Sequence, residues 1–190
     1  MKFRLSGSLL FLILLSTAPA YAHVNGEAGW LHPLSGLDHL LAMIAVGAWS
    51  SQIGGRAIWI VPSAFVCFML LGGLAGFENI ELPGTEIAVS LSVVLLGTAI
   101  ALKQKLPVAI AATATALFGV FHGYAHGYEM PLMSNKVAYT LGFLGTTAML
   151  HVIGAVGAYY LLKNPAGDKL LRLLGTVSVI CGFYLVSQVI

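Results

Sequence analysis

The stretch "LHPLSGLDHLLAMIAVGAW", residues 31–49, sets His32, Asp38 and His39 into a run otherwise apolar enough to lie in lipid. Whether that run belongs to a membrane decides the fold class, and composition answers the question. Hydrophobic residues make up 58% of the chain, charged residues only 8%, and the mean hydropathy is +0.92. Soluble domains carry roughly 25% charge. The sequence therefore predicts an all-α, polytopic membrane protein. A formal charge of +2, spread over few residues, provides no basic surface for nucleic acid. Cys67 and Cys181 stand far apart in apolar segments and suggest packing rather than a disulfide framework or a CxxC metal site.

The N-terminus begins with Lys2 and Arg4, continues through an apolar core from Leu9 to Leu15, and reaches the small-x-small sequence Ala20-Tyr21-Ala22. This is the pattern of a secretory signal peptide over residues 1–22, with an uncleaved first helix as the alternative. Cleavage after Ala22 makes His23 the mature N-terminal residue. Its α-amino and imidazole nitrogens are then a bidentate donor pair at the outer surface.

Six apolar segments follow within residues 23–190, at about 33–50, 57–77, 86–102, 107–126, 137–162 and 170–190. Each approaches the ~20 residues that a span requires. With the mature N-terminus outside, Arg56, Lys103, Lys105, Lys163, Lys169 and Arg172 fall on the inner side, and only Lys136 falls outside. The positive-inside rule is thus obeyed. Glu27, Glu78, Glu81, Glu86 and Glu129 lie outside, and Asp168 inside. "LLGT" occurs at Leu95–Thr98 and again at Leu173–Thr176. An inverted three-plus-three repeat would bring the two copies to one depth. The pairs Gly72/Gly76 and Gly119/Gly123 have the spacing that lets helices approach closely in lipid.

An ionisable side chain at the bilayer centre costs on the order of 2.5–3.5 kcal/mol even on the lenient insertion scale, so such residues face a bundle interior and mark a site or pathway. In "FHGYAHGYE", residues 121–129, His122, His126 and Glu129 share one helix face. Two imidazoles at i, i+4 with a carboxylate beside them form a chelating set for a borderline divalent metal. Gly123 and Gly127 are expected to weaken this helix and let backbone approach the ion. In the first span, Pro33 suits a helix start, which sets Asp38 and His39 about 9–10 Å deeper than His32 unless Gly36 bends the chain. Met43 offers a thioether, although core packing is its commoner use. The first span starts outside and the fourth ends outside, so both clusters reach the outer half of the membrane. His151 lies deeper, either as a second station or as a hydrogen-bonded core histidine.

"HPLSGLDH" and "FHGYAHGYE" resemble the two signature motifs of the HupE/UreJ family of hydrogenase and urease accessory proteins, regarded as nickel permeases. The leader, the six spans and Leu150-His151 fit the same pattern. The resemblance implies uptake of Ni²⁺ across the bacterial inner membrane, with Co²⁺ or Zn²⁺ as other candidate cargoes and no resident cofactor. The motif residues it implies are His32, Asp38, His39, His122, His126 and Glu129. The expected partners are the ion and the lipid bilayer. No phosphate loop is present, so movement would be driven by gradient rather than ATP. The competing reading is an intramembrane zinc hydrolase using Glu129 as general base.

Overall fold

The computed structural model describes residues 28–132 and 134–190, with the side chains of Ala28 and His32 also outside the description. The expected leader and His23 therefore lie outside the described residues. Within them, every regular element is helical. A 3-10 turn at Ala28–Trp30 leads into α1 (His32–Ser35), α2 (Leu37–Ile53), α3 (Ala57–Phe77), α4 (Thr85–Ala101), α5 (Val108–Tyr128), α6 (Lys136–Leu161) and α7 (Pro165–Val189).

Local chemistry sets the helix ends. Gly54 and Gly55 take positive φ after α2, and Gly84 takes the left-handed conformation before α4. The Asn135 side chain accepts the Ala138 N–H at 3.0 Å to cap α6. Asn164 accepts the Gly167 N–H at 2.8 Å, with Pro165 opening α7. The expected first span is not one helix: Gly36, extended at φ −93° and ψ 122°, separates α1 from α2.

Four helices, α3, α5, α6 and α7, are long and apolar enough to cross a membrane, and their large apolar side chains, such as Trp59, Ile110, Leu141 and Phe183, point outward. The 17-residue α4 is apolar but shorter. The equally short α2 carries Asp38, His39, Ser50 and Gln52 and is buried along most of its length. Its polar residues are tolerated because the other helices surround it.

Glycines fix the packing. A Cβ on Gly72 would collide with the carbonyl of Val120, one on Gly123 with that of Met69, and one on Gly127 with that of Gly73, so α3 and α5 run parallel in direct backbone contact. Likewise, a Cβ on Gly47 would strike the His151 carbonyl, and one on Gly154 the Ile44 carbonyl, which locks α2 parallel to α6. Helices α4 and α7 are antiparallel: Gly97 faces Gly175, and Gly182 faces Val94. These three pairs carry the most extensive packing of the bundle. Gly123 and Gly127 thus serve helix contact, and α5 continues unbroken through both, contrary to the expectation of local unwinding.

Opposite the Asp38 end, side chains stitch α2 and α7 to α4. Trp49 Nε1 donates to the Gln104 carbonyl at 2.8 Å, and Gln52 Nε2 to that of Ile100 at 3.2 Å. Arg172 Nε donates to the Ala101 carbonyl at 2.9 Å, and Lys103 pairs with Asp168 at 2.7 Å.

Gly72→Ala or Gly154→Ala should force backbone apart and destabilise the fold by about 1–3 kcal/mol, the usual cost of overpacking. Gly157 has open space within 4 Å of where an alanine methyl group would stand, and it should accept alanine without loss. Thermal melting in detergent, with size-exclusion profiles as a check, separates the two outcomes.

Candidate metal centre

Asp38 and His39 open α2, where the helix N-terminus favours a carboxylate. One carboxylate oxygen of Asp38 accepts both the backbone N–H of His39 at 2.7 Å and its ring Nδ1–H at 2.8 Å. This bond fixes the neutral tautomer and leaves the ring's lone pair on Nε2. A Cβ on Gly36 would lie 2.8 Å from that carboxylate oxygen and 3.2 Å from His39 Nδ1. The carboxylate–imidazole pair therefore packs against the bare backbone of Gly36.

His122 and His126, one turn apart on α5, are both fully buried. Ser92 on α4 donates its hydroxyl proton to the Val89 carbonyl at 2.6 Å, and its oxygen lies 3.0 Å from His122 Nε2. With the serine proton committed, His122 donates through Nε2–H and keeps its lone pair on Nδ1. That nitrogen is buried and has no hydrogen-bond partner among the described residues. His126 stacks on Phe143 of α6, with centroids 5.1 Å apart and planes at 7°.

The two motifs meet at His39. Its ring centroid lies 4.7 Å from that of His122, at 77°, and 4.7 Å from that of His126, at 69°. Three imidazoles from distant positions in the chain thus form one buried cluster, with Asp38 at its edge. The rings contact one another edge to face. As they stand, no group of three or more His, Cys, Asp or Glu side chains among the described residues is disposed to hold a metal ion.

The remaining sequence candidates lie outside the ring cluster itself. Glu129 caps the end of α5 and is exposed beside Tyr128, with its charge in electrostatic reach of His39 and Tyr139. It borders a groove of about 380 Å³ that also includes Glu86 and Tyr124. His32 is the first residue of α1, with its side chain outside the description, and His23 lies outside the described residues. Met43 is core: it is fully buried, and its sulfur accepts the Thr147 hydroxyl at 3.3 Å. His151 sits apart from the cluster, across the ring of Phe65. Phe65 lies 5.3 Å from His122 and 5.1 Å from His151 between centroids. Neither His151 ring nitrogen has a hydrogen-bond partner among the described residues, so it is not a hydrogen-bonded core histidine there.

Sequence reasoning missed Ser92, Phe65 and Phe143. A serine or phenylalanine in an apolar span is ordinary, and only the neighbours brought by α3, α4 and α6 give these residues a part in the site.

The family model described as HupE / UreJ protein matches residues 10–185 of the chain. Protein HupE of Rhizobium leguminosarum bv. viciae is 44% identical over 182 residues, covering 94% of this chain and 95% of that protein. No solved structure matches.

Ser92→Ala should leave the buried His122 Nε2–H without its acceptor, at a cost of about 1–3 kcal/mol. Detergent melting should show the loss. ¹⁵N spectra of histidine-labelled protein should show His122 moving from one tautomer to a mixture, whereas an unchanged spectrum would contradict the proton assignment.

Proposed function

The chain belongs to the HupE/UreJ family, and from that premise we propose that it is a membrane permease for a divalent transition-metal ion, nickel, which crosses by exchange of ligands and without ATP hydrolysis. The observation carrying this reading is the buried cluster of His39, His122 and His126 with Asp38 beside it. Dehydrating a divalent ion in hydrocarbon is prohibitive unless side-chain donors replace its water. Imidazole nitrogens and one carboxylate are donors that suit a borderline ion.

Entry is at the Asp38 end, which faces the periplasm. Glu129, His32 and His23 collect the hydrated ion there, and the cluster receives it. His39 Nε2 and His122 Nδ1 carry the lone pairs. The imidazoles turn out of their edge-to-face contacts to present them. Asp38 neutralises part of the incoming charge while holding His39 in the donor tautomer. A site formed only on entry binds weakly enough to release, as conduction requires. An inside-negative potential favours entry of two charges by about 4.6 kcal/mol per 100 mV.

All six helices from α2 to α7 cross the membrane in this reading, with the basic loops inside. Their packing supports two inverted halves, α2–α4 and α5–α7. The α2·α6 and α3·α5 contacts correspond in register: Ile44 and Val120 differ by 76, as do Gly47 and Gly123, while Met69 and His151 differ by 82, as do Gly72 and Gly154. Gly97 and Gly175, which face each other, differ by 78, the spacing of the two "LLGT" sequences. Exchanging the halves therefore maps these three glycine-packed pairs onto one another.

The hydrolase alternative, with Glu129 as general base on a zinc-bound water, gains no serine nucleophile at this cluster. Its nearby hydroxyl, Ser92, gives its proton to a backbone carbonyl and accepts one from His122, the reverse of an activated nucleophile.

Purified protein in liposomes with an inside-negative potassium diffusion potential should accumulate Ni²⁺, and collapsing the potential should lower the rate. Asp38→Ala and His126→Ala should each reduce uptake at least tenfold while leaving the protein folded in the membrane. Because imidazole donates to metal only when neutral, uptake should decline as the external pH is lowered. Absence of flux in the wild type would reject the permease reading.

A further inference from the structure

We propose that His151 is a second ion station, on the inner side of a partition formed by Phe65, from which the transported ion is released. The inference rests on the permease reading above. His151 lies 15 residues into α6, about 22 Å along that helix. Its backbone carbonyl is the atom that a Cβ on Gly47 would strike, eight residues or about 12 Å beyond His39 on α2. It is therefore well past the outer cluster. Its side chain leans back toward the start of α6, as helical Cβ bonds do, and meets the edge of Phe65 at 5.1 Å, while the same ring meets His122 at 5.3 Å. Phe65 is fully buried. A single aromatic ring thus separates the innermost cluster histidine from His151.

Beyond the partition is room. A groove of about 530 Å³ between α2, α3 and α6 reaches His151 and opens on the outward face at Trp59, Val152 and Tyr159, with Ser51, Ser63 and Cys67 adding the few other polar atoms. His151 is 2% exposed, and neither ring nitrogen has a partner among the described residues. A buried polar group left unpaired costs stability, and an ion bound at the ring would supply the missing partner. One imidazole without a carboxylate is a weak, uncharged donor. That is the character required of a release station, in contrast to the outer cluster with Asp38. Movement of the Phe65 ring lets the ion pass from His122 to His151.

The test compares wild type, His151→Ala and His151→Gln, each in liposomes under the same inside-negative potential. Initial Ni²⁺ uptake is measured over a range of concentrations and normalised to folded protein. Ni²⁺ binding to the detergent-solubilised variants, by calorimetry, checks the outer cluster. We expect the maximal rate to fall at least tenfold in both variants, with outer-site affinity within about twofold of wild type. A maximal rate unchanged in either folded variant overturns the station. So does a loss of Ni²⁺ affinity equal to the loss of rate, which would make His151 part of the outer site. No uptake by wild type would instead overturn the permease reading, and the station with it. Wild-type uptake alongside an unaffected His151 variant rejects the station alone.

Discussion

Backbone-to-backbone contact through glycine is the constraint on which the rest of the bundle depends. In lipid, helices gain little from burying apolar surface against each other, and close packing must supply the attraction. Gly72, Gly123 and Gly127 bring α3 and α5 into direct contact, and Gly47 and Gly154 do so for α2 and α6. Those two parallel pairs carry Asp38, His39, His122, His126 and His151. If either pair were held apart by a side-chain layer, His39 would lose its contact with the α5 histidines, and Phe65 could not reach both His122 and His151.

The polar interior is organised by proton placement. Asp38 takes the Nδ1 proton of His39, and Ser92 takes the Nε2 proton of His122, so adjacent rings keep lone pairs on opposite nitrogen types. The arrangement restricts the tautomers that the neutral imidazoles can adopt. A carboxylate at the helix start and a serine whose own proton is committed accomplish this without a second buried charge. The aromatic residues complement it: Phe143 supports His126 by stacking, and Phe65 closes the cluster from the side of His151.

The two ends of the bundle are built differently. At the end with the basic loops, side chains donate to backbone carbonyls of α4 and of the turn after it, and Lys103 pairs with Asp168. At the Asp38 end, the ion pair of Lys136 with Glu78, at 3.7 Å, is largely exposed and contributes little.

The sequence by itself determined the class of protein, the helical segments and the residues of the cluster. Low charge, high hydropathy and the rarity of ionisable groups in apolar runs made Asp38, His39, His122 and His126 conspicuous, because each is expensive to bury. The i, i+4 spacing placed His122 and His126 on one face, as found. Glu129, at the end of that motif, is the C-cap of α5, its N–H bonded to the Ala125 carbonyl at 3.0 Å. Tertiary structure alone decided that His39 lies between the two α5 histidines, that Ser92 orients His122, and that Phe65 separates His151 from the cluster. It also assigned Gly123 and Gly127 to helix contact and divided the first apolar segment at Gly36. Hydropathy records the cost of burying a group, but it does not say which neighbour receives it. In a chain whose helices are apolar on nearly every side, periodicity does not select the face that packs, and close approach between particular glycines selects it instead.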